Sequence, residues 1–268
     1  MRNLLLTIAF DGRPYHGWQV QRNAVTVQSV LQDALESVLG ERPPVKGCSR
    51  TDAGVHARMF CLSLVTGSDI PAEALVPALN GRLPESVAAL SCREVPMDFH
   101  ARYDVVAKQY RYMIHNSRVR DPFLSGRAWR VTCPLCADEM NREGQALIGS
   151  HDFTSFCASG GKVMESHVRT VSGFEVIRQG DMIDVYITSN GFLYNMVRII
   201  TGTLVDIQRG VIPRGSLPAI MAAKNRGAAG MTAPPEGLYL NEVIYSKCES
   251  RVEKEIVEPP PAPSTHFC

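Results

Sequence analysis

The chain passes twice through a similar series of strand-like and helix-like segments, and this pattern limits its possible folds more than any other feature. In the first pass, apolar residues alternate over residues 4–10, which predicts a strand with one strongly apolar face. Apolar residues then recur at helical spacing over 27–39, with Thr26 as a candidate N-cap and Gly40 just beyond the end. The other elements predicted in this pass are strands over 59–66 and 87–95 and a helix over 71–80.

The second pass begins with a predicted strand over 105–114, where β-branched and aromatic residues alternate with others. The elements predicted after it are a helix over 137–148, strands over 168–178 and 182–188, helices over 193–205 and 213–223, a loop over 227–237 and a strand over 239–245. This mixture predicts an α+β protein in which two similar subdomains share one antiparallel-rich mixed sheet. We expect the subdomains to cover residues 1–104 and 105–248.

The charge of the chain is nearly balanced, with 28 Lys and Arg against 27 Asp and Glu. Its composition, 45% hydrophobic and 21% charged, is that of a globular protein and excludes an intrinsically disordered one. Most cations are arginine, 22 Arg against six Lys, and residues 93–130 carry eight basic groups against four acids. Such a basic strip is typical of a solvated surface or of an RNA-binding surface, and both interpretations stay open.

The last residues of the chain differ from the rest in composition. Residues 249–268 contain four Glu and a run of three prolines, which predicts a mobile tail. Without this tail the body has a clear positive excess, because the tail contains more acidic than basic residues.

The eight cysteines do not form a pattern typical of a zinc site or a disulfide framework. Cys133 and Cys136 make one CxxC pair, without a second pair and without histidine at zinc-ligand spacing. Reduced thiols in a cytoplasmic protein fit this usage. The apolar start is too short for a signal peptide, and no apolar run approaches the ~18 residues of a membrane helix. We therefore expect no metal, no membrane association and a cytoplasmic location.

The residues from Ser49 to Ala57 concentrate polar groups of different chemistry between two apolar strands. A hydroxyl, a guanidinium, a carboxylate, a glycine and an imidazole follow one another within this predicted loop. One interpretation is a tight turn in which Asp52 caps backbone amides and Gly54 takes a positive φ. The other is a functional loop held between rigid strands.

Two further features leave a structural and a functional interpretation open. Tyr110 and Tyr112 share one face of a predicted strand while Arg111 takes the other, so the tyrosines form either core packing or a stacking platform for a base. Arg198 lies in a helix that is apolar nearly all round. Its guanidinium either extends to the surface or meets a buried acid near a site.

Seven segments occur in an order that matches one known family. They are D-G-x-x-Y-x-G-W-Q at 11–19, G-x-S-R-T-D-A-G-V-H at 47–56, F-H-A-R at 99–102, Y-R-Y at 110–112, H-D-F-T-S-F at 151–156, M-V-R at 196–198 and E-G-L-Y-L at 236–240. Together they resemble the tRNA pseudouridine synthase A family of the bacterial type, and the block at 50–56 is the most specific of them.

The resemblance implies the pseudouridine synthase fold, with an active-site cleft between the two subdomains, and a cofactor-free isomerase. It implies Asp52 as the nucleophile, Arg198 as the arginine that pairs with Asp52, and Tyr110 as the residue that stacks on the target base. An aspartate is ionised at neutral pH and can act as a nucleophile without a separate base. A uridine inside a stem has to be flipped out before it can reach such a carboxylate.

The resemblance also implies the partners of the chain. The substrate is tRNA, modified at uridines 38, 39 and 40 of its anticodon stem-loop, and the enzyme works as a homodimer. Arg50 matches a motif arginine associated with base flipping. Arg102 and Arg111 are expected as further substrate contacts.

Two other functions remain to be distinguished from this one. The basic strip at 93–130 is compatible with a tRNA-binding or folding-assistance module without turnover. His56, His100 and His151 are the candidate ligands of a metal-dependent hydrolase, although their spacing does not match a known ligand pattern.

Overall fold

The computed structural model describes residues 1–160 and 165–246. In these ranges ten strands join into one sheet. The strands are β1 (Arg2–Phe10), β2 (Lys46–Gly47), β3 (His56–Thr66), β4 (Val87–Val95), β5 (Val105–His115), β6 (Trp129–Arg130), β7 (Gly149–Asp152), β8 (Val168–Gln179), β9 (Met182–Ser189) and β10 (Leu238–Tyr245). Their order is β4-β1-β3-β10-β5-β9-β8-β7, with β2 paired to β3 and β6 paired to β5.

Five α-helices accompany the sheet within the described ranges. They are α1 (Val27–Leu39), α2 (Ala72–Asn80), α3 (Ala137–Gly144), α4 (Met196–Gln208) and α5 (Leu217–Ala223). None of the helices in this part of the chain is long and apolar enough to cross a membrane.

Neighbouring strands pair antiparallel except at two places, where β10 runs parallel to β3 and β6 runs parallel to β5. The predicted antiparallel-rich mixed sheet and the α+β class are therefore confirmed. The strands of the first pass occupy one end of the sheet, while the last strand, β10, lies at the junction between β3 and β5. The subdomain boundaries stay a prediction, and the predicted tail over 249–268 lies outside the described residues.

Helix α1 has the ends that its sequence predicts. The hydroxyl of Thr26 accepts a hydrogen bond from the Ser29 amide, and the Ser29 hydroxyl oxygen accepts one from the Thr26 amide. This reciprocal arrangement satisfies amides at the start of the helix that lack an intrahelical partner. Gly40 ends the helix in the left-handed conformation, with φ of 72°. The predicted capping of α1 is therefore confirmed.

Some predicted boundaries were wrong by several residues. The helix predicted over 193–205 begins only at Met196, because Asn195 adopts a left-handed conformation with φ of 59° and breaks the helical path. Helix α5 begins at Leu217 rather than at residue 213, and α3 ends at Gly144, where a 3₁₀ turn follows. Strand β1 is buried along both faces rather than one, since Asn3, Leu5 and Thr7 are buried as well as Leu4, Leu6 and Ile8.

Candidate active site

Asp52 lies in the loop that joins β2 to β3, and a second loop over residues 11–19 supports it from one side. The amide of Trp18 donates to the Thr51 carbonyl oxygen at 3.1 Å, and the amide of Gly54 donates to the Tyr15 carbonyl oxygen at 3.4 Å. Gly17 has φ of +83°, and a Cβ atom there would lie 2.4 Å from the Thr51 carbonyl oxygen. The segment over 11–19 therefore supports the backbone of the Asp52 loop.

Gly17→Ala is expected to move the Asp52 loop. The change combines left-handed strain with a backbone clash at Thr51, and we expect it to lower the free energy of unfolding by about 2–4 kcal/mol. Displacing a reacting group by about 1 Å costs on the order of 10²-fold in rate, so kcat is expected to fall to a similar extent. Gly40→Ala is the matched control, since φ there is +72° but nothing lies within 4 Å of the added atom. Thermal unfolding and activity assays on both variants check this. Equal kcat values for the two would contradict it.

The carboxylate of Asp52 faces Arg198 rather than the backbone of its own loop. Its Oδ2 lies 3.6 Å from Arg198 Nη1, and the side chain of Asp52 is 39% exposed. Within residues 1–160 and 165–246, no backbone amide donates to this carboxylate, so it does not cap the turn. Gly54 does take the positive φ expected of a turn, 76°. The Asp52 loop is thus a turn in which the carboxylate of Asp52 is not used to cap the backbone.

Arg198 is held in place by two neutral acceptors as well as by Asp52. Its Nε donates to the Ala233 carbonyl oxygen at 2.7 Å, and its Nη1 donates to Asn195 Oδ1 at 2.8 Å. The side chain is only 15% exposed. A guanidinium in the first turn of a buried helix therefore meets a partly exposed carboxylate instead of extending to the surface.

The segment over 231–237 connects Arg198 to the Asp52 loop. It packs against α4 at Gly202, where a Cβ atom would lie 1.9 Å from the Met231 carbonyl oxygen. Asp206 accepts from the Met231 amide at 2.9 Å, and the Tyr112 hydroxyl donates to the Pro234 carbonyl oxygen at 2.7 Å. These contacts set the position of the Ala233 carbonyl that orients Arg198. Sequence reasoning missed this segment, because glycines and backbone carbonyls carry no chemical signature.

Tyr110 projects from β5 beside the Asp52 loop and is 6% exposed. Its hydroxyl lies 3.2 Å from Ser49 Oγ, and its ring packs edge-on against Phe192 with centroids 4.8 Å apart. Burial raises the pKa of Tyr110, and the nearby Asp52 carboxylate acts in the same direction. The hydroxyl therefore stays protonated, and the ring is a rigid apolar wall with one polar tip. Phe192 is a second residue that sequence reasoning missed.

Two opposing effects act on the pKa of Asp52. Burial, the larger one, raises it, while the charge of Arg198 lowers it. A carboxylate that is partly desolvated, yet kept anionic by one guanidinium, is a stronger nucleophile than one surrounded by water.

The other predicted site residues are divided between two places. Arg50 and Arg102 line a cavity of about 270 Å³ beside the Asp52 loop. Arg111 points to the opposite face of β5 from Tyr110, where it makes a two-pronged ion pair with Asp184 at 2.9 and 2.6 Å. The structure therefore places Arg50 and Arg102 beside the Asp52 loop and places Arg111 elsewhere. The role of each of them in substrate binding stays a prediction.

Arg111→Ala is expected to act on stability rather than on substrate binding. The change leaves the buried Asp184 carboxylate without its partner, which we expect to cost about 3–5 kcal/mol. Replacing both residues by leucine should cost less, because no buried charge then remains. Denaturant unfolding of both variants, with KM for RNA measured well below the melting temperature, checks this. A raised KM with unchanged stability would instead support Arg111 as a substrate contact.

The described residues also bear on the metal-site hypothesis. In residues 1–160 and 165–246 no group of three or more His, Cys, Asp or Glu could hold a metal ion. His56 is buried, with Nδ1 accepting from the Gly12 amide at 3.1 Å and Nε2 at 3.1 Å from the Gly126 carbonyl oxygen. Burial lowers its pKa, so the ring is neutral and serves to join two loops.

Comparison with known proteins finds relatives that match most of the chain. A family model described as tRNA pseudouridine synthase matches residues 6–104 and 144–246. A protein named tRNA pseudouridine synthase A from Thermoanaerobacter sp. (strain X514) is 44% identical over 245 residues, covering 91% of this chain and 100% of the relative. Proteins of the same name from Ruminiclostridium cellulolyticum and Brevibacillus brevis are 45% and 46% identical, again over 91% of this chain and 100% of each relative. The family model and these relatives match the chain over most of its length, so the chain belongs to the tRNA pseudouridine synthase family.

Proposed function

We propose that this chain isomerises uridine to pseudouridine in the anticodon stem-loop of tRNA, with Asp52 as the nucleophile. The observation that carries the proposal is the placement of the Asp52 carboxylate 3.6 Å from Arg198, beside the buried ring of Tyr110. The names of the 40–46% identical relatives support the choice of tRNA as substrate and of pseudouridine as product.

The reaction breaks the C1′–N1 bond of the nucleoside and forms a C1′–C5 bond, with one proton lost from C5 and one gained at N1. Atoms and electrons balance without an oxidant, a reductant or water. What the reaction requires is a nucleophile that holds the detached fragment while the base turns. Asp52 is the group in the cleft that fits this task, and Arg198 keeps it charged and aimed.

Tyr110 and Arg50 act on the target nucleotide in this proposal. Extruding a base from a stem costs a few kcal/mol, and stacking on an aromatic ring returns about 1–3 kcal/mol per base. Tyr110 provides that ring at the cleft. Arg50, two residues before Asp52 and exposed, provides a cation for the displaced backbone or base.

The proposal extends to the organisation of the enzyme. The family resemblance favours a homodimer, a cytoplasmic location and an active site between subdomains over 1–104 and 105–248. Light scattering of the purified chain tests the dimer, and a monomer at assay concentrations would remove that part of the proposal.

The experiment that tests the function uses unmodified tRNA transcripts with uridine on the 3′ side of the anticodon arm. We expect pseudouridine at those positions and nowhere else in the transcript, and unchanged conversion in excess chelator. A transcript with cytidine at the same positions is the control and should give no product. Binding of both transcripts without conversion would identify a tRNA-binding module, and loss of conversion with chelator would point to metal chemistry.

A further inference from the structure

A groove lies beside the Asp52 loop, and Asp52, Tyr110 and Arg198 are not among the residues that line it. It has a volume of about 270 Å³, with residues 18–19 and Gln28 among its lining and two further stretches of chain as its walls. One wall comes from Lys46 and Arg50, on either side of the Gly47–Ser49 stretch, and the other from the turn that precedes β5, with His100, Arg102 and Tyr103. We call this the lateral groove. Its wall at Ser49 is shared with the active site, because Ser49 Oγ lies 3.2 Å from the Tyr110 hydroxyl.

Tyr103 presents an aromatic ring to this groove instead of packing it in the core. The residue is 75% exposed. The His100 ring lies 4.3 Å from it between centroids, inclined by 39°, and the Arg102 guanidinium carbon lies 5.8 Å from the ring centroid. Two basic side chains thus support the ring while most of its surface stays open. Such a ring is a platform for a further planar group.

The turn that carries Tyr103 is ordered by its own hydrogen bonds. The Asp104 carboxylate accepts from the His100 amide at 2.8 Å, and His100 Nδ1 accepts from the Arg102 amide at 3.1 Å. The Tyr103 amide donates to the His100 carbonyl oxygen at 3.1 Å. The platform is therefore held in place before any ligand arrives, which lowers the entropy cost of binding.

The charge of the lateral groove matches a phosphodiester. Lys46, Arg50 and Arg102 line it, and none of the three makes an ion pair with a carboxylate in the described ranges 1–160 and 165–246. The acid of this turn, Asp104, is engaged by the His100 amide. Unpaired cations beside an exposed aromatic ring are the combination that binds single-stranded nucleic acid, where cations meet phosphates and rings stack on bases.

We propose that the lateral groove binds the nucleotide next to the target uridine, with its base stacked on Tyr103 and its phosphate met by Lys46, Arg50 and Arg102. The inference rests on the proposed function, since it assumes a flipped uridine at Asp52. Flipping removes the stacking partner of the neighbouring base, and Tyr103 replaces that partner. Arg50 and Asp52 are two residues apart, so their Cα atoms are separated by at most about 7 Å. The groove therefore begins where a neighbouring nucleotide leaves the catalytic cleft.

The test compares Tyr103→Ala, Tyr103→Phe and Tyr103→Trp on an anticodon stem-loop RNA. We expect Tyr103→Ala to raise KM and the RNA dissociation constant about 5- to 150-fold, the loss of one base–aromatic stack, with kcat at saturating RNA within about twofold. The two aromatic variants should keep KM near the wild-type value. Phe123→Ala, which removes an 83% exposed ring outside the groove, is the matched control and should change none of these values.

The salt dependence of RNA affinity distinguishes the contribution of base stacking from that of phosphate contacts. Lys46→Ala and Arg102→Ala should each reduce the slope of log affinity against log salt by about 1, while Tyr103→Ala should leave the slope unchanged. Two results would overturn the groove proposal while the proposed function stands, provided that wild type forms pseudouridine. One is an unchanged KM for Tyr103→Ala. The other is a KM for Tyr103→Phe and Tyr103→Trp that rises as much as that of Tyr103→Ala. If wild type forms no pseudouridine in the anticodon arm, the proposed function itself fails.

Discussion

Asp52→Asn is expected to abolish pseudouridine formation, lowering kcat by about 10⁴-fold or more. The substitution keeps the size of the side chain and removes the negative charge that makes it a nucleophile. Removing a group that acts at the centre of a catalytic set costs rates of this order in other enzymes. Single-turnover assays on tRNA transcripts measure the effect directly. Residual conversion within about tenfold of wild type would rule out Asp52 as the nucleophile.

The loss of activity should occur without loss of the fold. The Asp52 side chain is 39% exposed and makes no hydrogen bond to its own loop within the described residues, while Arg198 keeps Ala233 and Asn195 as acceptors. We therefore expect a change in the free energy of unfolding below about 1 kcal/mol and nearly unchanged tRNA affinity. Asp69→Asn, an exposed carboxylate away from the cleft, is the matched control and should retain full activity.

Arg198→Lys is expected to lower kcat by about 10²–10³-fold, the cost of removing one well-placed donor from a reacting site. A lysine keeps the charge, but it cannot contact Ala233, Asn195 and Asp52 with the geometry of a planar guanidinium. Arg198→Gln, which removes the charge as well, should cost more. KM for tRNA should change little in both variants, because Arg198 acts on Asp52 rather than on the RNA backbone.

The pH profile gives Arg198 a signature that a purely structural role would not produce. Asp52 has to be ionised, so activity falls as the pH drops through its pKa. Burial raises that pKa and Arg198 lowers it, so Arg198→Gln should raise it further. The acid limb of kcat/KM should therefore move to higher pH in this variant.

The double variant Asp52→Asn with Arg198→Gln is the second check on Arg198. If Arg198 acts through Asp52, the double variant should lose no more activity than Asp52→Asn alone. If instead the activity losses of the two single variants multiply in the double variant, and the acid limb of kcat/KM does not shift in Arg198→Gln, then Arg198 acts independently of Asp52.

Local sequence patterns were enough to predict those helices and strands that interactions between residues close in sequence determine. Strand β4 occupies the predicted 87–95, and α1 has its predicted ends because Thr26 and Gly40 supply caps. The position of β10 between β3 and β5 was beyond such reasoning. It depends on pairing between residues far apart in the chain, such as Leu240 with Tyr110, and no short-range signal encodes that.

The candidate site was predictable to the extent that its chemistry is visible in side chains. Arg198 could be identified because a guanidinium in an apolar helix needs a partner. The parts that were missed act through backbone: the left-handed Asn195, the Ala233 carbonyl, and the close packing at Gly202. Arg111 was expected to contact the substrate because it lies between Tyr110 and Tyr112 in sequence. Successive side chains of a strand point to opposite faces, however, and Arg111 pairs with Asp184 on the face opposite Tyr110.

The decisive experiment locates pseudouridine by carbodiimide labelling followed by mass spectrometry, because unlabelled pseudouridine has the same mass as uridine. One tRNA transcript is treated with wild type, Asp52→Asn or Asp69→Asn. We expect conversion in the anticodon arm with wild type and Asp69→Asn, and none with Asp52→Asn although it still binds the transcript. Conversion by Asp52→Asn at the wild-type rate, or the absence of pseudouridine with wild type, would contradict it.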